Sequence, residues 1–322
     1  MSRLVNNTAI LAKLETTYGQ DAAPAGAQNA LLISNQKVTP LVAQNADRNV
    51  MRPYLGNSES LVGTRYKQLE FDVELVGSGT AGTAPALGPL LRACGFAETI
   101  TASVRVDYTP VSGGYESLTV YYYDDGVLHK LLGARGSFKV SAQVGEIPKL
   151  SFSFTGLDGG DTAAPLPTVT LDAWRIPQTI VDANSGDLTF GCTHSITGAP
   201  ALVGGTAFPS EGINIDSGIS APFNALLGGE TVPITERKVT ADMKMDLTAV
   251  DEVALLTAVK ATTLTSLGFA HGTVVGDRVL IFMPSVQRTD PSKEEKNGMR
   301  MIGVKLRVNP KLGNDELRIV FF

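Results

Sequence analysis

The chain has 322 residues, of which 43% are hydrophobic and 18% are charged, and its formal net charge is −5. The apolar fraction excludes an intrinsically disordered protein, and no apolar run is long enough for a membrane-spanning helix. The slight acidic excess argues against a protein that grips nucleic acid through a basic surface. The N-terminal segment lacks the features of a secretory signal, and the two cysteines form neither a disulfide framework nor a zinc motif.

Segments that alternate apolar and polar residues dominate the chain and predict a mainly β protein. In chain order, strands are predicted over residues 31–40, 68–75, 118–123, 137–144, 149–155, 240–247, 278–282, 303–308 and 316–322, with weak strand or loop over 189–210. Short helices are predicted over 86–94 and 249–260, the second capped by Thr248. Asp125-Gly126 predicts a two-residue hairpin turn.

An internal repeat divides the chain into two similar halves. Residues 55–75 align without a gap with residues 227–247, and their apolar and polar faces coincide. In each half the matched strand is followed by a helix with a Leu-Leu pair and then by two paired strands. Between the halves, residues 156–167 combine Gly, Pro and Asp without periodicity, which is typical of a linker. We therefore predict two copies of one β-rich domain, 1–160 with an N-terminal arm and 161–322.

The strand predicted over residues 68–75 has one apolar face and one acidic face. Its core-facing residues are Leu69, Phe71, Val73 and Leu75, and its polar residues are Gln68, Glu70, Asp72 and Glu74. A straight row of carboxylates is neither a calcium loop nor the opposed carboxyl pair of a glycosidase. These residues therefore predict a solvated polar surface.

The sequence from Gly77 to Gly82 matches the G-x-G-x-x-G pattern of dinucleotide-binding loops. That fingerprint follows a parallel strand buried on both faces, whereas the strand before Gly77 alternates and Pro85 delays the helix. A strand-to-helix connection is the interpretation that fits. The three histidines, His129, His194 and His271, have no metal-like spacing and no neighbouring nucleophile elbow. The sequence therefore predicts no enzyme, no cofactor and no metal.

Several segments together resemble the major tail tube proteins of long-tailed, siphovirus-type bacteriophages. They are residues 13–24 (KLETTYGQDAAP), the strand 31–40, and residues 52–57 (RPYLGN), 71–75 (FDVEL), 90–96 (LLRACGF) and 313–317 (GNDEL). The order and spacing of these segments extend the resemblance over nearly the whole chain. The resemblance implies a mainly β fold of two tandem tail-tube domains, each a small β-sandwich or split barrel with one short α-helix.

The resemblance also implies a structural function. In this family six domains form a ring whose inner strands join in one large barrel, and stacked rings form the tube through which the genome passes. A chain with two such domains is expected to form trimeric rings with pseudo-sixfold symmetry. The implied partners are further copies of the chain, the tape measure protein, terminator and tip proteins, and passing double-stranded DNA that is not tightly bound. The expected location is the virion tail, assembled in the host cytoplasm without membrane contact.

Two sets of residues are expected to carry this function. The family places the strand after the long loop in the inner barrel, which predicts that the following side chains face the lumen: Gln68, Glu70, Asp72, Glu74, Thr240, Asp242, Lys244 and Asp246. Their carboxylates predict an acidic wall that does not hold DNA. The long connections 45–64 and 221–236 are expected to bridge successive rings through Arg52, Pro53, Tyr54, Asn57, Glu59, Asn224 and Glu230.

Two other classes of protein stay open at this stage. A β-rich capsid or tail accessory protein, such as a terminator or decoration subunit, would share the composition but should not polymerise into tubes. A carbohydrate-binding or hydrolytic tail-tip module would need an exposed aromatic platform or a carboxylate pair across a cleft. Neither feature is visible in the sequence.

Overall fold

Antiparallel strands make up most of the protein in a computed structural model, which describes residues 3–195 and 197–322. The strands are β1 Thr8–Leu14, β2 Ala30–Leu31, β3 Ser34–Asp47, β4 Ser60–Glu74, β5 Phe96–Thr101, β6 Arg105–Pro110, β7 Leu118–Asp124, β8 Val127–Gln143, β9 Lys149–Ala163, β10 Leu188–Phe190, β11 Thr193–Ser195, β12 Ala201–Val203, β13 Thr206–Phe208, β14 Ser210–Asp216, β15 Ile219–Ser220, β16 Asn224–Leu226, β17 Gly229–Thr231, β18 Glu236–Arg237, β19 Thr240–Met245, β20 Leu264–His271, β21 Val279–Lys296, β22 Met299–Val308 and β23 Arg318–Phe321. The helices in these residues are α1 Gly26–Asn29, α2 Gly88–Ala93 and α3 Ala249–Lys260. The mainly β fold predicted from the sequence is confirmed.

Eight of these strands form one continuous antiparallel face that runs through both halves of the chain. Their order is β3–β4–β9–β8–β14–β19–β22–β21. The first four come from the N-terminal half and the last four from the C-terminal half. The halves meet where β8 pairs with β14, and they meet again where β6 pairs with β23. Strand pairing therefore makes the two halves continuous.

Apolar side chains from this face fill the space between it and a second layer, as in a β-sandwich. In β4, Leu69, Phe71 and Val73 are at most 2% exposed. Phe71 packs against Phe152 and Phe154 of β9, with ring centroids 5.8 and 5.9 Å apart. The second layer adds to the same cluster the buried side chains of Ile10, Phe96, Val106, Tyr108 and Val120. Each large side chain buried in this way contributes roughly 1.5–3 kcal/mol.

Local signals in the sequence place two elements correctly. Helix α3 spans the predicted residues 249–260, and the Thr248 hydroxyl accepts the Asp251 N–H at 3.2 Å, as expected of its N-cap. The hairpin turn between β7 and β8 has positive φ at Asp125 and Gly126, which a type I′ turn requires. Helix α2 lies within the predicted 86–94, whereas the four-residue helix α1 was not predicted.

Several strands are longer than the sequence predicts. Strands β3 and β4 form a ribbon that continues to Asp47 and resumes at Ser60, so only residues 48–59 of the connection 45–64 are free loop. Strand β9 continues through Ala163, so most of the predicted linker 156–167 is strand. That prediction is wrong because the N-terminal part of β8 hydrogen bonds to this segment, and such pairing overrides the weak strand preference of glycine.

In the described residues, no helix is both long and apolar enough to cross a membrane.

Candidate functional site: a polar sheet face and two loop tips

The strands β4 and β19 each separate apolar from polar side chains. On the core side, β4 buries Leu69 and Phe71, and β19 buries Met243 and Met245. The opposite side carries the residues predicted to face a lumen, namely Gln68, Glu70, Asp72, Glu74, Thr240, Asp242 and Lys244, all half-exposed or exposed. Asp246 follows the end of β19 and is exposed. The structure therefore brings these residues to one face of the eight-stranded sheet.

Strand pairing extends this polar face across neighbouring strands. Residues directly opposite each other in adjacent antiparallel strands share a face. Starting from Asp72, the row of opposed residues is Asp72, Ser151, Lys139, Asp216, Thr240 and Arg307. From β9 and β8 across to β22 and β21 the face is concave and borders an open space of about 960 Å³. The polar face is thus a shallow trough that crosses the junction between the two halves.

Lysines from neighbouring strands form ion pairs with several acids of this face. The Lys37 ammonium lies 3.4 Å from Glu70, and the Lys149 ammonium lies 3.3 Å from Asp72. At the β8–β14 junction, Lys139 Nζ lies 2.9 Å from Asp216 Oδ2. These cations add to Lys244 of β19, which was already predicted on this face, so the face is mixed in charge. The alternation of Ser137, Lys139 and Ser141 with Phe138, Val140 and Ala142 is the sequence signal that places Lys139 on a polar strand face.

These pairings shift the protonation equilibria of several groups on the face. Burial raises the pKa of Asp72, but hydrogen bonds from Ser151, Asn35 and Lys149 outweigh it and hold that pKa below its ordinary value. The hydrogen bond between Lys244 and Glu294, at 2.6 Å, raises the pKa of the lysine and lowers that of the glutamate. Asp72 and both members of the Lys244–Glu294 pair therefore stay charged at neutral pH.

Two loop tips project beyond the sheet with exposed apolar side chains. In the tip formed by residues 48–59, Met51 and Leu55 are fully exposed, and Tyr54 is largely so. The tip of the β16–β17 hairpin exposes Leu227, which is the repeat counterpart of Leu55. Each half thus presents a fully exposed leucine at a loop tip.

The residues predicted to bridge rings lie in these loops. Glu59 is paired with Arg48 and with Arg52, whose Nη2 lies 3.1 Å from Glu59 Oε2. Asn224 and Glu230 are exposed on the β16–β17 hairpin. Pro53, Tyr54 and Asn57 are also exposed.

The second loop is anchored to the first half of the chain. The Phe223 ring stacks on Tyr66 of β4 with centroids 4.8 Å apart. The Val232 N–H donates to Tyr18 Oη at 2.6 Å, and Arg135 Nη1 donates to the Val232 carbonyl at 3.1 Å. The two loops are therefore not equivalent in their attachment, although both tips are exposed.

A comparison with known protein families identifies the family of the chain. The family model described as phage tail tube protein matches residues 5–309, nearly the whole chain. The chain belongs to the phage tail tube protein family. No curated protein matches it.

Membership makes the chain a structural component of the virion tail that is assembled in the host cell. Tail tube proteins self-assemble into a tube together with other tail proteins. The structural character of the family indicates a non-enzymatic protein. In the part of this tail tube protein that the structure describes, no group of three or more His, Cys, Asp or Glu side chains could hold a metal ion.

The glycine-rich segment after β4 has a packing role in this tail tube protein. The Gly77 N–H donates to the Asp277 carbonyl at 3.4 Å, and the Gly79 N–H donates to the Gly276 carbonyl at 3.1 Å. A Cβ added at Gly77 would lie 1.9 Å from the Gly276 oxygen. These glycines therefore allow the backbones of the two halves to approach closely.

Proposed function

We propose that three copies of this tail tube protein close into a ring, and that stacked rings conduct double-stranded DNA during ejection. The proposal rests on the junction between β8 and β14, where the two halves of one chain meet by strand pairing. Residues 1–160 and 161–322 each act as one tube domain in this proposal. The same junction, repeated between chains, then closes a cyclic ring of three chains and six domains.

Strand order supports the equivalence of the two halves. The order β3–β4–β9–β8 in the first half corresponds to β14–β19–β22–β21 in the second. The gapless repeat makes β4 the counterpart of β19, and the pairing partners follow: β3 corresponds to β14, and β8 corresponds to β21. Because β8 pairs with β14 inside a chain, β21 is expected to pair with β3 of the neighbouring chain.

The two outer strands of the face have edges that are open to such a neighbour. Among the described residues, β3 pairs along its length with β4 alone. Residues 292–296 of β21 pair with β22 alone. Unpaired N–H and C=O groups on a strand edge readily accept another strand, and ring closure removes both edges.

The internal junction also supplies a register for the junction between chains. Inside one chain, Asn214 of β14 lies opposite Ser141 of β8. Lys37 holds the position of Asn214 in β3, and Glu294 holds the position of Ser141 in β21. Lys37 of one chain would therefore lie opposite Glu294 of the next. Across the closed junction the charges would alternate through Glu70, Lys37, Glu294 and Lys244. Opposite charges directly across an antiparallel pair stabilise it, which favours this register.

Charge reversal at this pair tests the ring. Lys37→Glu or Glu294→Lys puts like charges opposite each other and should lower the fraction of trimer. The double variant should recover part of it, since the contacts with Glu70 and Lys244 inside each chain stay unfavourable. An exposed ion pair is worth about 0.2–1 kcal/mol, so three pairs change the free energy of ring closure by up to about 3 kcal/mol. Native mass spectrometry at fixed protein concentration measures the trimer, and Lys13→Glu on β1, away from both edges, is the control.

Three results would contradict the proposal. Rings of six chains would show that one chain supplies one tube domain. A chain that stays monomeric under tube-forming conditions would exclude ring closure. A double variant no better than either single variant would exclude the register.

In such a ring the polar face lines the channel. Because Lys37, Lys139 and Lys149 are paired with carboxylates, these three cations are not free to hold a passing phosphate. The connections 45–64 and 221–236, through their exposed tips, join successive rings. The tape measure protein occupies the lumen before ejection, and terminator and tip proteins contact the rings at the two ends of the tube.

A further inference from the structure

The two ends of the eight-stranded face carry different features. Four antiparallel steps separate β4 from β19, so these strands run in the same direction. Both loop tips precede these strands, whereas helix α3 follows the end of β19. The pairing row places Asp72 level with Thr240, so the ribbon that begins at Ser60 projects about 40 Å beyond the start of β19. The tips and α3 therefore lie at opposite ends of the sheet.

A recess of about 160 Å³ opens beside α3, and both apolar and charged side chains line it. Its apolar walls include Phe190, Phe208, Leu247, Ala254 and Leu255, and Asp251 also lines it. Ala254 lies at the mouth of the recess and is exposed, whereas Leu255 is buried. The recess is large enough for one aliphatic side chain and too small for a helix or strand.

The recess also contains a polar group without a partner. The Arg288 guanidinium lines it and lies over the Phe190 ring, 5.3 Å from the centroid. The buried Arg288 Nε has no hydrogen-bond partner among the described residues. A buried N–H left unpaired costs free energy, so an occupant that brings an oxygen to this site is favoured.

The corresponding position in the first half is closed. Leu90 and Leu91 of α2 are fully buried, and β5 packs against that helix. The first half therefore keeps its helix face covered by its own strand, and the second half leaves the recess beside α3 open.

We propose that this recess receives Leu55 from a chain in the next ring, with Arg288 Nε donating to a backbone carbonyl of the same tip. This inference rests on the proposed stacking of rings. Head-to-tail stacking joins opposite ends of the ring, so a projecting group at one end requires a receptor at the other. Leu55 and Met51 are fully exposed in one chain, and apolar exposure of this kind marks an interaction surface.

The distance that each tip extends from the sheet favours the Leu55 tip over the Leu227 tip as the occupant of the recess. Phe223 holds the second loop against Tyr66, and Leu227 lies four residues beyond that anchor. The β3–β4 ribbon continues from Tyr66 to Ser60 before its own loop begins. The tip that carries Leu55 therefore extends further from the sheet and meets the next ring first.

Cysteine cross-linking tests this contact in assembled tubes. A disulfide requires Cα atoms within about 7 Å, so Leu55→Cys combined with Ala254→Cys should cross-link chains only when the tip occupies the recess. Both native cysteines, Cys94 and Cys192, are buried and should stay unreacted. On mild oxidation, non-reducing electrophoresis should show a ladder of linked chains from tubes and single chains from isolated rings. The matched control is Leu227→Cys combined with Ala254→Cys, which should give no ladder.

A second variant tests the same contact without cysteines. Ala254→Trp fills the mouth of the recess and should raise the concentration needed for stacking about tenfold or more, since it prevents burial of a leucine. Val253→Trp, on the exposed side of α3 and outside the recess, should have little effect. Electron microscopy distinguishes single rings from tubes.

The outcomes distinguish a failure of the recess contact from a failure of ring stacking. Tubes that form normally but give no Leu55–Ala254 cross-link, or that tolerate Ala254→Trp, overturn the recess as receptor while ring stacking stands. A ladder from the Leu227 pair instead assigns the recess to the second tip and overturns the inference. Absence of any tube from the wild-type chain contradicts the proposed function itself.

Discussion

Lys67 is a buried cation on the apolar side of β4, and its replacement by methionine should destabilise the protein. Its side chain is 1% exposed and lies on the same side of the strand as Leu69. Lys67 Nζ lies 3.0 Å from Asp158 Oδ1 and 2.6 Å from Asp161 Oδ1, and it donates to the Gly160 carbonyl at 3.0 Å. Methionine has a similar size, so Lys67→Met removes a charge and its hydrogen bonds without opening a cavity.

The magnitude follows from the exposure of the partners. Removing one member of a buried ion pair costs roughly 3–5 kcal/mol, because the remaining charge stays desolvated. The Asp158 side chain is 14% exposed and that of Asp161 is 48% exposed, so water solvates part of the charge left behind. We therefore expect Lys67→Met to lower the free energy of unfolding by about 2–4 kcal/mol.

Urea unfolding of the unstacked protein, at one fixed protein concentration, measures this loss. Lys139→Met is the matched control, since its ion pair with Asp216 is exposed and should be worth no more than about 1 kcal/mol. A Lys67→Met protein within about 0.5 kcal/mol of the wild type, a change typical of neutral surface positions, would refute the reasoning.

The pH dependence checks the same interaction independently. Burial raises the pKa values of Asp158 and Asp161, but the hydrogen bonds from Lys67 and other donors outweigh it, so both lie below their ordinary range. Carboxyls of this kind stabilise the fold above their ordinary pKa of about 4, and the stabilisation is lost as pH falls through the lower folded values. The stability difference between wild type and Lys67→Met should therefore shrink below about pH 4, and a difference that grows would contradict the assignment.

Two further predictions concern the lumen and the junction between the halves. Changing Glu70, Asp72 and Glu74 together to lysine should allow tubes to form but slow DNA delivery by phage, because unpaired cations on the channel wall bind phosphate. Unimpaired delivery, or a tube structure with these side chains outside, would exclude a lumen role. Gly77→Ala should lower the free energy of unfolding by about 2 kcal/mol or more, since its Cβ would overlap a backbone carbonyl of the C-terminal half. Gly113→Ala, which meets no atom within 4 Å, is its control and should be near neutral in urea unfolding.

Local patterns in the sequence determine the strand character of this protein and one of its helices. Alternation around Phe71 and Met243 specifies which side chains are buried, because successive residues of a strand point to opposite faces. The cap at Thr248 determines where α3 begins, because the hydroxyl satisfies an N–H only three residues away. The order of these local segments was also sufficient to indicate the tail tube family.

Tertiary pairing decided the features that depend on distant residues. Residues 156–163 become strand because β8 hydrogen bonds to them, and this places Asp158 and Asp161 around Lys67. The cations of the polar face come from strands that lie next to β4 and β19 only in the folded sheet. The recess beside α3 forms where a helix meets β10 and β13. In each case the determining contact joins segments far apart along the chain, and no local pattern records which segments will become neighbours.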